Sequence, residues 1–101
     1  QKLEEVSVFE GAPNESKIFI DVRPNPSDGI AVVSYQIPVG LSGEIEFYMA
    51  DLTGRFVYRK RLQPFSNDEF SFNSNEYPQG IYLYGVILNG EIKTSKKFII
   101  R

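Results

Sequence analysis

The residues of this chain that most resemble an acid–base site are two pairs of carboxylates. Glu44 lies two positions before Glu46, and Asp68 immediately precedes Glu69. Catalysis by proton transfer needs such groups at different positions around a substrate. Glu44 and Glu46 instead alternate with apolar residues, which places both on the solvent-facing side of one strand. We therefore interpret these carboxylates as surface charges.

Nucleophilic chemistry has few candidates, because the sequence contains no histidine and no cysteine. These absences exclude the usual base of a serine triad and any thiolate nucleophile. Ser95 could be paired with Lys96 or Lys97, but successive residues of a strand point to opposite faces. The sequence therefore predicts that the chain is not an enzyme.

Metal binding would depend on oxygen ligands, and one loop has a suggestive spacing of them. Asn25, Ser27 and Asp28 surround Gly29, but the further acidic ligands of a calcium loop do not follow. We interpret this stretch as a polar turn after Pro26. No glycine-rich phosphate loop occurs either. The sequence thus predicts no cofactor and no metal site.

Length and charge predict one domain preceded by a linker. The chain has 101 residues and a net charge of −2, which gives no field that would attract nucleic acid. Residues 1–16 contain one lysine and four glutamates, and they read as an acidic approach to a neutral body. We predict a linker over 1–17 and a folded domain over 18–101. No apolar run is long enough to span a membrane, so no membrane insertion is expected.

The elements that must position any site are short strands. Apolar residues recur with a period of two, separated by turn residues such as Asp51-Leu52-Thr53-Gly54 and Asn89-Gly90. This pattern predicts an all-β, immunoglobulin-like sandwich of about seven antiparallel strands, with negligible helix. The predicted strands cover 18–23, 30–37, 44–49, 55–62, 70–72, 81–88 and 91–101, and residues 44–62 form a hairpin. Pro24 ends the first strand because it lacks the N–H that a ladder needs.

Three segments, in this order, carry a family resemblance. They are IFIDVRPNPSDG at 18–29, FYMADLTGRFVYRKRL at 47–62 and GIYLYGVILNGEIKTSKKFIIR at 80–101. Together they resemble the type A C-terminal sorting domains of the type IX secretion system of Bacteroidetes. The Pro-Asn-Pro group, the Asp-Leu-Thr-Gly turn, the Gly-Ile-Tyr strand and the lysine-rich apolar ending carry the likeness.

The resemblance implies a secretion signal that directs a larger cargo protein through the type IX system to the cell surface or medium, and is removed after export. It implies as partners the outer-membrane translocon and its shuttle proteins, a sortase-like peptidase that cleaves upstream of the folded body, and an N-terminal cargo domain on the same chain. The residues that it marks as the signal are Pro24, Asn25, Pro26, Gly54, Gly80, Tyr82, Asn89, Gly90, Lys96, Lys97, Phe98, Ile99, Ile100 and Arg101.

Two features leave alternatives open. The strand over 91–101 reads as an edge that a partner strand could join, with its lysines facing an acidic receptor; the same lysines could simply keep an edge strand soluble. Tyr48, Tyr82 and Tyr84, together with the basic strand over 55–61, instead suggest a fibronectin-like or carbohydrate-binding accessory module. The parent protein, the cleavage site and the oligomeric state do not follow from the sequence.

Overall fold

The computed structural model describes residues 18–38, 43–63 and 67–101. Within them, eight strands form nearly all of the regular structure, as the alternating sequence pattern predicts. The predicted linker over 1–17 lies outside the described residues. The strands are β1 (Phe19–Arg23), β2 (Ile30–Gln36), β3 (Ile45–Asp51), β4 (Phe56–Arg61), β5 (Asn67–Asn73), β6 (Gly80–Leu88), β7 (Glu91–Ile92) and β8 (Lys96–Ile100).

The strands form two antiparallel sheets that pack face to face. Sheet 1 has the order β1-β2-β5, and sheet 2 has the order β4-β3-β6. Both β7 and β8 pair with the remaining edge of β6. The all-β sandwich is confirmed, with eight strands where about seven were predicted.

The core lies between the sheets and is rich in aromatic rings. Phe47 and Phe98 are fully buried, and Phe70 of sheet 1 packs edge-on against Phe47 at a centroid distance of 5.5 Å. Phe72 makes a similar contact with Phe98 at 6.4 Å. Burying a phenylalanine side chain contributes about 1.5–3 kcal/mol, so these rings hold the two sheets together.

The predicted hairpin over 44–62 is confirmed, with one irregularity. β3 and β4 pair antiparallel, but the register shifts between Met49 and Ala50. Met49 lies opposite Tyr58 and Ala50 opposite Phe56, so Val57 is an extra residue in β4. This bulge breaks the simple alternation expected for the basic strand.

The strand predicted over 91–101 is in fact two strands. Thr94 lies against β6, where its hydroxyl accepts a hydrogen bond from the Val86 N–H at 3.0 Å. Its carbonyl lies over Gly85, so that a Cβ there would be only 2.0 Å from the Thr94 oxygen. The Tyr48 hydroxyl donates to the same carbonyl at 3.0 Å. The crossing at Thr94 therefore separates β7 from β8.

Candidate functional site

The Pro-Asn-Pro segment, taken here as residues 24–27, lies along the outer edge of β8. The Asn25 carboxamide donates from Nδ2 to the Lys97 carbonyl at 2.9 Å. Its Oδ1 accepts from the Ile99 N–H at 3.0 Å. Pro24 and Pro26 have no N–H of their own, so the side chain of Asn25 makes the two bonds that a backbone peptide group would make in a ladder.

Ser27 continues this pairing through its backbone. Its N–H donates to the Ile99 carbonyl at 2.9 Å, and its carbonyl accepts from the Arg101 N–H at 2.8 Å. Ser27 forms a parallel bridge with Ile100. Two regions that the sequence analysis treated separately, the Pro-Asn-Pro group and the last strand, therefore form one junction.

This junction corrects the expectation that β8 presents an open edge. Four groups on its outer side, the carbonyls of Lys97 and Ile99 and the N–H groups of Ile99 and Arg101, are already hydrogen-bonded. A partner strand cannot pair there unless the Pro-Asn-Pro segment leaves. The segment acts as edge protection.

A buried pair of serines fixes the Pro-Asn-Pro segment from inside. The hydroxyls of Ser27 and Ser74 lie 3.0 Å apart, and both residues are buried. Ser74 donates to the Gly29 carbonyl from its hydroxyl at 2.6 Å and from its N–H at 3.0 Å. Sequence reasoning considered Ser27 only as a calcium ligand and missed Ser74, because nothing in the sequence links positions 47 residues apart.

The inward side of β8 belongs to the core. Phe98 lies opposite Tyr82 and Ile100 opposite Gly80, and the side chains of Phe98, Ile100 and Tyr82 are all buried. Burial raises the pKa of Tyr82 above its usual value of 10.0, and its hydroxyl donates to the Pro78 carbonyl at 2.6 Å. A partner of the folded domain does not reach these side chains, which position the strand.

Lys96 ties β8 to the edge of sheet 1. Its Nζ donates to the Ile20 carbonyl at 2.9 Å and lies 5.8 Å from the centre of the Phe19 ring. Lys97 and Arg101 point outward and are exposed. Within the described ranges neither side chain has an ion-pair partner.

Gly54 closes the β3–β4 turn at the same end of sheet 2. Asp51 pairs with Tyr82 near the start of β6, and the N–H of Gly54, which has a φ of 91°, donates to the Asp51 carbonyl at 3.0 Å. The pKa of Asp51 lies below its usual value of 3.8, chiefly because the Thr53 hydroxyl donates a hydrogen bond to its carboxylate. The N–H groups of Arg55 and Thr53 lower the pKa further. Gly54 therefore lies at the same end of sheet 2 as Gly80.

Asn89 and Gly90 lie at the opposite end of sheet 2. They form the predicted turn between β6 and β7, with φ of 52° and 87°, as the turn type requires. The Asn89 side chain also accepts from the Glu44 N–H at 2.9 Å. The structure thus separates this pair from the Pro-Asn-Pro segment and β8.

The features that suggested a carbohydrate-binding surface have other partners. Tyr82 and Tyr84 face the core, and Tyr48 is buried on the other side of sheet 2. The Arg59 guanidinium contacts the Glu46 carboxylate at 2.8 and 3.1 Å. Stacking on a sugar needs exposed rings, so this alternative loses the observation that motivated it.

Two absences hold for the described part of the chain. Three or more acidic side chains that could hold a metal ion are not found together there. No helix in those ranges has the length and apolar character needed to cross a membrane.

The fold and the junction define the protein as a small β-sandwich module whose outermost strand is covered by a loop of its own chain. A family model described as a secretion system C-terminal sorting domain matches residues 21–101. The chain belongs to this family, which confirms the resemblance in its motifs. It is a C-terminal sorting signal for type IX secretion, carried by a larger cargo chain that is exported to the cell surface or medium. Domains of this kind are not catalytic. No match was found among curated proteins or solved structures.

Proposed function

We propose that the junction of the Pro-Asn-Pro segment with β8 is the part of this domain that the outer-membrane type IX translocon and its shuttle proteins recognise. The observation that carries the proposal is the double hydrogen bond of Asn25 to Lys97 and Ile99. It joins two of the marked motifs into one surface, although they lie more than 70 positions apart.

The exposure of the junction supports this role. Pro24, Asn25, Lys97 and Arg101 are exposed, and Ile99 is half-buried between them. A partner can therefore contact these residues without unfolding the domain. Recognition at a preformed surface also avoids the cost of ordering a flexible peptide.

The other marked residues support the signal indirectly in this proposal. Gly54 and Gly80 shape the end of sheet 2 that carries the junction, and Gly80 lies directly opposite Ile100. Asn89 and Gly90 set the turn that returns the chain towards β8. Tyr82, Phe98 and Ile100 hold β8 against the core. Lys96 fixes the start of β8 to β1.

Membership of the sorting-domain family supports a proposal for the cargo and its processing as well. The cargo domain precedes this domain on one chain, residues 1–17 form the linker between them, and the folded domain over 18–101 carries no catalytic activity of its own. A sortase-like peptidase cleaves upstream of the β-sandwich after export. The junction lies in the sandwich itself, so cleavage in the linker leaves the recognised surface intact.

The test uses the full-length cargo in its own type IX-competent cells. Asn25→Ala removes both bonds to β8, and we expect it to lower the cargo found at the surface or in the medium and raise the periplasmic fraction. Asn75→Ala is the matched control, because Asn75 is also an exposed asparagine but lies in the 3₁₀ turn Ser74–Glu76, outside the junction.

A second control separates recognition from stability. Ile45 is buried at the far end of sheet 2, opposite Leu88, and Ile45→Val costs about 0.5–1.5 kcal/mol. If Ile45→Val lowers export as much as Asn25→Ala does, loss of stability explains the defect and the proposal fails. Undiminished export of Asn25→Ala also contradicts it.

A further inference from the structure

The outward face of sheet 2 carries adjacent apolar side chains, called here the apolar stripe: Phe56, Leu83, Ile81 and Ile99. In the pairing register, Ala50 lies between Phe56 and Leu83, and Ile81 lies opposite Ile99. Phe56 is 39% exposed and Ile81 is 43% exposed, while Leu83 and Ile99 are half-buried. The stripe therefore crosses the sheet from β4 to β8.

The outward face of sheet 1 shows what an ordinary solvated surface of this protein looks like. There Ser34 lies opposite Glu69 and Val32 opposite Ser71. Ile30 and Phe19 are 60% and 44% exposed, but they lie opposite Asn73 and Gln36. The half-buried Val32 beside Ile30 lies between Arg23 and Ser71. Single exposed apolar residues are normal, whereas adjacent ones mark interaction surfaces. The stripe continues from β4 through β6 to β8, whereas the apolar residues of sheet 1 have polar partners across the strands, and this distinguishes the stripe from Ile30.

Positive charge borders the stripe on the β8 side. Lys97 lies directly opposite Leu83. Arg101 lies two positions after Ile99, which places it on the same face of the sheet. Neither cation has an ion-pair partner in the part of the chain that the structure describes. On the β4 side, Arg59 lies 5.0 Å from the centre of the Phe56 ring and is neutralised by Glu46. The uncompensated charge is therefore beside the junction.

We infer that the apolar stripe, with Lys97 and Arg101, is a docking surface for a protein of the export machinery that presents apolar side chains flanked by carboxylates. The inference rests on the proposed function and extends it from the junction to the adjoining sheet face. Charge complementarity favours this occupant. A symmetric pair of copies of this chain would bring the same cation-bordered face against itself.

The first test again uses the full-length cargo in its own cells. The double variant Ile81→Thr, Ile99→Thr keeps β-branched side chains, which suits strands, and removes the apolar character. Because truncated hot-spot residues weaken an interface at least about ten-fold, we expect a comparable loss of export. Ile30→Thr, the control on sheet 1, retains export. Equal losses in both variants, or none in either, overturn the inference.

A second variant tests the charge without touching apolar packing. Lys97→Glu reverses the exposed cation beside the stripe, and we expect export to fall about ten-fold by repulsion of the partner's carboxylates. Lys60→Glu makes the same charge change at an exposed residue of β4, away from the stripe. It also removes the contact of the Lys60 Nζ with the Phe70 ring at 5.2 Å, and it retains export. If the two lysine variants export alike, the docking surface is not where we place it.

A photo-crosslinking amino acid in place of Ile81 of this domain, within the full-length cargo, identifies the occupant of the docking surface during export. An adduct with a translocon or shuttle protein that disappears in Lys97→Glu supports the inference. An adduct with a second cargo chain or with lipopolysaccharide, or the absence of any adduct, overturns it.

The failure of this inference can be told apart from failure of the proposed function. If Asn25→Ala abolishes export while the stripe variants do not, only the inferred docking surface is wrong. If deletion of residues 96–101 leaves export intact, the proposed function itself fails.

Discussion

The carboxamide of Asn25 takes the place of a strand partner for the backbone of β8 at Lys97. Nδ2 of Asn25 donates to the Lys97 carbonyl at 2.9 Å, and Oδ1 accepts from the next outward N–H of β8, that of Ile99, at 3.0 Å. A primary amide has a donor and an acceptor at its tip, as a peptide group does. Aspartate at neutral pH accepts only, and alanine does neither.

Asn25 substitutions therefore have an expected order of stability. Asn25→Ala loses two partly solvated hydrogen bonds, and we expect a cost of about 1 kcal/mol in the free energy of unfolding. Asn25→Asp keeps the bond from Ile99 but places a carboxylate oxygen against the Lys97 carbonyl, so we expect a larger loss at pH 7. Urea unfolding measures both. If the aspartate variant matches the wild type, the donor role of Asn25 is wrong.

The buried serines are expected to be coupled. Ser27→Ala and Ser74→Ala each remove a bond between the two hydroxyls, and we expect each to cost about 0.5–1.5 kcal/mol. The double variant should cost less than the two single costs together, by roughly 0.5 kcal/mol or more. Ser71→Ala, at an exposed position of β5, is the control. Strict additivity in the double-mutant cycle would argue against the pair.

Gly85 should not tolerate any side chain. A Cβ at this position would lie 2.0 Å from the carbonyl oxygen of Thr94, so Gly85→Ala must displace the segment between β7 and β8. Overpacking of this kind costs about 1–3 kcal/mol. Gly29→Ala is the matched control, since a Cβ there meets no atom within 4 Å. The urea midpoints of unfolding of the two variants measure this difference, and equal midpoints would contradict the close approach of the Thr94 carbonyl to Gly85.

We expect Asp51 to make a contribution to the free energy of unfolding that depends on pH. Hydrogen bonds, above all from the Thr53 hydroxyl, lower its pKa below 3.8 in the folded state. The folded chain thus binds this proton less readily than the unfolded chain does. The stabilisation is complete well above pH 3.8 and disappears as the pH falls through the folded-state pKa.

Asp51→Asn removes that titration. We expect the free energy of unfolding to fall less steeply between pH 5 and pH 2.5, a range of about 2.5 units around the usual aspartate value, than it does in the wild type. Asp28→Asn, which removes one negative charge from an exposed loop, is the control. If the free energy of unfolding depends on pH in the same way in Asp51→Asn and in the wild type, Asp51 does not make this contribution.

Most of the strands could be predicted from the sequence because their signals are local. Alternation of apolar and polar residues depends on neighbours two positions apart, as in β3, and the Asn89-Gly90 turn needs only its own two residues. Pro24 likewise ended β1 where expected. The family motifs identified the sorting domain because their order is a property of the sequence alone.

The junction could not be predicted, because its partners are distant along the chain. Asn25 and Lys97 appear separately in the sequence, and a free edge on β8 was the natural expectation for a final strand. The break at Thr94 has a similar origin, since only the tertiary contact with Gly85 shows why the strand stops. For Gly85, a glycine within an apolar strand was the available signal of close backbone approach.

The pairing of β6 with β8 has a consequence for how the chain reaches its native state. β8 comes after β6 in the chain, and the two strands pair at separations of 12 to 20 residues, from Tyr84 with Lys96 to Gly80 with Ile100. Until β8 arrives, the edge of β6 from Gly80 to Tyr84 has no partner. Bare strand edges recruit other chains and aggregate. Residues 96–100 therefore also guard solubility, and a cargo truncated before them would be prone to precipitate.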